Sequence, residues 1–406
     1  MNLVLGPRLG LRLGAVAAFA VVAPGAALAQ GFDVAGFLAG EARAFLEEPA
    51  STSQFNGVQA SLAFQPEFRF RTSDRRHQFR VTPFVRVDSR DSERTHFDLR
   101  EAFWRVTTGD VEVLVGMNTV FWGVAESRHL VDVINQIDFV EDVDGEDKLG
   151  QGMIQVGWQR DWGRLDGFVL LGFRQMTLPG ADGRLGLPLK VVDEAYYPDG
   201  RRDVDFALRY SHYIGDFDLG VHVFRGTNRE ASFRVVPGER PDRMPRTQAV
   251  YREISQVGVD VQWTQNAWLW KFEGLVREGD GRTFGAAVAG VEYTLFQAFG
   301  SADLGLLTEF LVDGRDDSAA VTLFDRDIFV GTRLALNDVW DTQALAGAVV
   351  DLRDGSIAAR LEVERRISNR LKLEVDGRFF VNVASTNNLA LFRQDSFLNL
   401  RVAYGF

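Results

Sequence analysis

From residue 32 to the C-terminus, apolar and polar side chains alternate with a period of two, in segments set off by Gly, Asn, Asp and Ser. Successive side chains of a strand point to opposite faces, so this period predicts strands with one apolar and one polar face. In 58–71, Val58, Ala60, Leu62, Phe64, Phe68 and Phe70 share one face, and Gln59, Ser61, Gln65, Glu67, Arg69 and Arg71 the other. Residues 77–88 repeat the pattern, with Phe79, Val81, Val85 and Val87 opposite Arg80, Arg86 and Asp88. Eighteen such segments are counted: 32–45, 58–71, 77–88, 95–107, 111–122, 151–161, 164–174, 204–214, 217–227, 250–264, 267–278, 284–298, 302–313, 323–336, 342–353, 356–367, 370–383 and 395–406. Sixteen is the alternative count. One segment breaks the rule, because placing Phe97, Leu99 and Phe103 on the apolar face puts Glu101 there too, which predicts a β-bulge or a shifted register.

The connectors alternate as well. Short turns at 73–76, 108–110, 162–163, 215–216, 265–266, 299–301, 337–341 and 368–369 alternate with longer connections, of which 123–150, 175–203, 228–249, 314–322 and 384–394 are the longest. That parity predicts an all-β fold: one transmembrane antiparallel barrel over residues 30–406, with short turns and both termini at the periplasmic rim and long loops at the other. Trp104, Trp158, Trp162, Trp263, Trp268, Trp270 and Trp340 lie near the short turns, as an interfacial aromatic belt would, and Trp122 falls at the opposite rim. Glycines within the segments, such as Gly116, Gly157, Gly172 and Gly220, are expected at bends of the barrel.

The two ends agree with this. Arg8 and Arg12, the apolar run 13–22 and Ala27-Leu28-Ala29 before Gln30 form a cleavable export signal over residues 1–29. The closing segment sets Leu398, Leu400, Val402, Tyr404 and Phe406 on one face, and Tyr404 and Phe406 resemble the terminal recognition signal of the barrel-assembly machinery. Beyond the signal, no apolar run approaches the ~18–20 residues of a membrane-spanning helix. The absence of cysteine excludes thiol nucleophiles and disulfides, and the formal charge of −11 argues against nucleic-acid partners.

Charge then locates the wet face. Arg360, Glu362, Glu364 and Arg366 recur on one segment, and Lys372, Glu374, Asp376 and Arg378 on the next. Asp205, Arg209, Asp218, His222, Asp260, Glu292, Arg333 and Arg401 occupy equivalent positions elsewhere. A charge facing lipid at midplane would cost roughly 2–4 kcal/mol, so these side chains, with Arg69, Arg71, Arg80 and Arg86, are expected to line a hydrated interior. They would form a solute path, or a lumen closed by its own ion pairs.

The first long loop is the most individual stretch. Leu130, Val133, Ile134 and Ile137 recur at helical spacing and predict a short amphipathic helix, which must cover its apolar side in the barrel mouth or beneath other loops. Folded inward, the loop would narrow the path with Glu126, Arg128, His129, Asp132, Asp138, Glu141, Asp142 and Asp144, with Arg128, His129 and Asp132 facing the solute. The acidic run 141–147 is a solvated segment or a calcium site, although its spacing is not that of an EF-hand.

The block Phe121-Trp122-Gly123-Val124-Ala125-Glu126-Ser127-Arg128-His129-Leu130-Val131-Asp132, with Asp144-Gly145-Glu146 and Lys148-Leu149-Gly150-Gln151, resembles a group of proteobacterial porin-like outer-membrane proteins without established function. The resemblance runs along most of the chain. It implies an outer-membrane barrel of a Gram-negative bacterium and assigns no catalytic residue. The sequence alone offers none either: Ser127 and His129 are two residues apart, and Ser211 and His212 point to opposite faces of one strand. The expected work is passive diffusion of small hydrophilic solutes without metal or cofactor. The alternatives are a dedicated exporter or importer of a polymer or apolar compound, and a sealed structural barrel. Expected partners are membrane lipid and lipopolysaccharide, the assembly machinery and small solutes, for a monomer or homotrimer.

Overall fold

The computed structural model describes residues 31–187, 189–238 and 245–406, so the export signal lies outside the described residues. The strands are β1 (Phe32–Phe45), β2 (Val58–Arg71), β3 (His77–Asp88), β4 (His96–Thr108), β5 (Val111–Asn118), β6 (Gln151–Arg160), β7 (Gly163–Leu171), β8 (Val204–Ile214), β9 (Phe217–Thr227), β10 (Ser232–Val236), β11 (Arg246–Val250), β12 (Glu253–Gln265), β13 (Trp268–Glu278), β14 (Phe284–Phe299), β15 (Ala302–Asp313), β16 (Arg326–Ala335), β17 (Gln343–Asp351), β18 (Ile357–Arg366), β19 (Leu371–Val381) and β20 (Phe397–Gly405). Eighteen of them form one sheet, each antiparallel to its neighbours. β1 pairs with both β2 and β20, and β9 pairs with β12, so the sheet closes into a barrel without an edge. The remaining pair, β10 and β11, is a hairpin standing on the β9–β12 loop, where the alternation predicted only a connector.

The predicted faces hold along most strands. Leu62, Val81, Val87, Phe206, Val257, Val330 and Leu400 stand exposed on the outside, an apolar belt suited to lipid. Trp104, Trp158, Trp162, Trp268, Trp270 and Trp340 are exposed at the short-turn rim, where Trp158 packs edge-on against Trp162 and Trp268 stacks on Trp270. Trp122 departs from its expected place at the opposite rim. It is buried in the lumen against Phe168 and His222, with the Arg209 guanidinium 5.1 Å from its ring.

β4 contains the bulge. Thr82 pairs with Glu101 but Pro83 pairs with Leu99, leaving Arg100 as the extra residue. Proline donates no ladder hydrogen bond, so a break there is inexpensive. Beyond it the faces exchange. Glu101 turns inward to accept from Arg80 at 3.1 Å and from Thr82, while Phe103, expected on lipid, becomes buried in the lumen. The glycine expectation is also revised: side chains at Gly157 and Gly220 would collide with Arg164 and Arg209, so both make room for arginines crossing the inner wall.

Between β5 and β6, residues 119–150 fold into the barrel and split its interior between two apolar cores. Trp122, Val131, Val133 and Ile134 pack on Phe103, Leu114, Met153, Phe168 and Phe224 of one wall. Ala125 and Leu130 pack on Leu275, Val288, Leu307, Leu311 and Phe329 of the other. At this level the loop and the wall together narrow the lumen.

Candidate functional site

The loop is held by wall carboxylates that accept from its backbone. On β13, Glu273 accepts from the N–H groups of Val124 at 2.7 Å, Ala125 at 2.8 Å and Val131 at 3.3 Å. On β15, Glu309 accepts from Glu126 N–H at 2.7 Å, Ser127 N–H at 2.8 Å and the Ser127 hydroxyl at 2.5 Å. Four successive amides thus converge on two anions, as in an anion-binding nest of backbone donors. Gly123 (φ +140°) permits the approach, since a Cβ there would lie 2.9 Å from Glu273 Oε1. These contacts replace the predicted helix: donors that a helix would satisfy internally bond to the wall, and 119–150 contains isolated turns but no helix. The apolar positions that suggested it are nevertheless covered, with Ile134 fully buried and Leu130 and Val133 nearly so.

Side-chain ion pairs tie the loop to the rest of the circumference. Glu126 meets Arg360 of β18 and Arg333 of β16, each at 2.5 Å. Arg378 of β19 reaches Asp144 at 2.7 Å and Asp142 at 3.6 Å. Arg86 of β3 donates to both oxygens of Glu141, and Arg43 of β1 donates to the Glu141 carbonyl. Asp138 pairs with Arg100 at 2.5 Å and accepts from the Thr177 hydroxyl. The three residues expected to face the solute are engaged instead. Arg128 bridges Glu230 and Asp313, His129 Nδ1 lies 4.0 Å from Glu273, and Asp132 is buried against Lys148 at 3.0 Å. Since Arg86 and Arg378 take Glu141, Asp142 and Asp144, cations of the wall already occupy the acidic run considered for calcium. His96, Asp138 and Glu141 could converge on an ion, but Arg100 and Arg86 hold both carboxylates.

The other inner-wall positions divide into two groups. Arg209, half-buried, pairs bidentately with Asp260 at 2.7 and 2.8 Å, Asp205 accepts from Arg229 at 2.7 Å, and His222 lies 3.1 Å from the Gln256 amide, these partners all buried. Nearer the short turns the charges are wetter. Lys372 bridges Glu364 and Glu374, Arg401 pairs with Glu374, and Arg69 and Arg80 share Glu67, whereas Asn399, which donates to Asp376, and Glu292, 3.7 Å from Arg333, are buried. Arg366 meets Asp341 at the rim, and Arg71 is exposed at the end of β2. Tyr404 accepts from Arg370 at 3.0 Å, and the Phe406 ring stacks on Phe64 while its backbone exchanges two hydrogen bonds with Gly36.

Sequence reading did not single out Glu273, Glu309, Glu41, Arg43, Arg94, Arg277 or the loop pair Glu230 and Arg315. Glu273 shares the inward row of Lys271, Leu275 and Arg277, so its direction was legible and its partners, about 145 residues away in the chain, were not. Burial would raise the Glu230 carboxyl, but Arg315, Arg277 and Arg128 around it hold it well below the usual carboxylate range. Burial lowers the His129 imidazole, but its hydrogen bond to and charge attraction by Glu273 outweigh that and raise it. Asp147 is open to water but enclosed by the barrel, and that enclosure, together with Glu141 and Asp142, pushes it up to about 7.

A closed eighteen-stranded antiparallel barrel with an apolar exterior and a long inward-folded loop is a porin-like transmembrane fold, and no catalytic constellation assembles among the described residues. The chain is similar in structure to Wzi of Escherichia coli, an outer-membrane protein involved in group 1 capsule assembly and described as a carbohydrate-binding β-barrel; the TM-score is 0.51 at 9% identity, covering 91% of this chain and 84% of Wzi. OprB of Pseudomonas putida aligns at a TM-score of 0.45 and 9% identity over 93% of this chain and 94% of its own. OmpT of Vibrio cholerae aligns at 0.46 and 10% identity over 92% and 99%. No protein-family model and no curated protein sequence matches the chain.

Proposed function

We propose that this protein is an outer-membrane channel of a Gram-negative bacterium that passes small hydrophilic solutes passively, with the 119–150 loop setting the size admitted. One observation carries the reading. Along the inner face of β18, side-chain exposure rises from 15% at Arg360, beside the loop, through 34% at Glu362 and 40% at Glu364 to 62% at Arg366. Arg366 stands at the rim, but a barrel packed solid along its length would bury Glu362 and Glu364 as well as Arg360. A wet vestibule ending at a narrow level fits restricted passage, since lining charges and cross-section together set what a pore admits. Lipid and lipopolysaccharide would cover the apolar belt, and the barrel-assembly machinery would insert the chain as a monomer or homotrimer.

Liposome swelling with a graded series of sugars tests this. Swelling with the smallest and a sharp cut-off above them is the expected result. No swelling with any sugar would overturn the channel in favour of a sealed barrel, and free entry of large sugars would overturn the role of the loop.

A further inference from the structure

Above the docked loop, the interior opens into a chamber of about 310 Å³ roofed by the long connections after β7, β9, β15 and β19. Its walls are unusual for a hydrophilic path. Phe139, Val143, Leu323, Phe324 and Leu391 line it, and Leu391 and neighbouring Val321 remain 39% and 45% exposed. Apolar surface left facing an enclosed, wet space gains free energy when an apolar group covers it.

The charges in the chamber are graded by depth. Glu146 is 54% exposed and Glu230 25%, whereas Arg277 and Arg315 behind them are each 5% exposed. Carboxylates therefore stand in front and guanidinium groups lie behind. The loop itself is acidic, with Glu126, Asp132, Asp138, Glu141, Asp142, Asp144, Glu146 and Asp147 against Arg128 and Lys148. An entering carboxylate would meet carboxylates first, while an ammonium group could reach the exposed side of Glu146, whose only ion pair among the described residues is a 3.5 Å contact with Arg360, and leave the pairs of Glu126, Asp144 and Glu230 in place.

We propose that the chamber binds an amphipathic organic cation: an amine on an aromatic or short aliphatic body, the amine at Glu146 and the body against Phe324 and Leu391. An apolar cavity of about 150 Å³ accommodates benzene; this chamber, roughly twice that size, holds a ring with an aminoalkyl arm. The inference deepens the channel reading by naming a preferred solute class.

Titration calorimetry on the purified full chain in an uncharged detergent tests it, with phenethylamine, phenylacetate and 2-phenylethanol as probes. Phenethylamine is expected to bind at least tenfold more tightly than either analogue, and Glu146→Gln to lose about tenfold while keeping its heat-modifiable band. Leu391→Asn should weaken phenethylamine and 2-phenylethanol alike. Equal or tighter binding of phenylacetate, or no saturable binding of any probe, would overturn the proposal. Binding in detergent needs no open path, so a chain that binds but conducts nothing sinks the channel alone, and one that conducts but binds nothing sinks the chamber alone.

Discussion

Glu273 is the residue on which the docking of the loop turns. It is fully buried, and three backbone donors and the His129 imidazole depend on it. Glu273→Ala strands those amides at a cost of about 1–3 kcal/mol for each donor left unpaired. Protease cleavage within 124–131 and a higher single-channel conductance should follow, with Glu273→Gln intermediate because its amide oxygen still accepts. Unchanged protection in the alanine variant would show that the loop holds without this anchor. His129 adds a pH dependence. Its folded pKa is raised above the ordinary 6.5, so its contribution is complete below that value and is lost as pH rises through the folded pKa. Glu230 acts in the opposite direction: its folded pKa is depressed, so its contribution is present above about 4.5 and fades only in strong acid. Conductance recorded across pH should rise on the alkaline side in the native chain, and His129→Gln should remove that rise. At this scale the sequence was legible as direction, since alternation placed Arg209, Asp260 and Arg360 inward, but not as pairing. Which carboxylate meets which arginine depends on a chain fold that brings residue 126 to residue 360.

At the scale of elements, strands were more legible than loops for a physical reason. A strand between lipid and lumen must alternate, whereas an irregular segment can satisfy its donors on any wall it reaches. The spacing of Leu130, Val133, Ile134 and Ile137 reported correctly that these side chains need cover, yet the amides nearby went to Glu273 and Glu309 instead of into a helix. Pro83 explains the other departure, because the bulge it sets in β4 moved Phe103 indoors. Replacing 124–147 with a short Gly/Ser bridge should raise conductance and admit larger sugars. It should also lower the temperature at which the folded band is lost on gels, because it removes the middle of both apolar cores. An unaltered melting temperature would mean that these cores contribute little to the barrel.

At the scale of the whole molecule, closure rests on the β1–β20 pairing and on the paired hydrogen bonds between Phe406 and Gly36. Deleting Phe406 removes those bonds and its stacking on Phe64, so less protein should reach the heat-modifiable, membrane-embedded form. Normal yields would count against this role. Closure has a second participant within the lumen. The strands run β19, β20, β1, β2, β3 around the wall, and residues 141–144 are gripped by Arg43 and Arg86 on one side of the β20–β1 seam and by Arg378 on the other. A segment made before β6 thus acts as a staple across the joint between the first and last strands. Docking of this loop holds the first and last strands to one another from inside, independently of the backbone ladder that joins them.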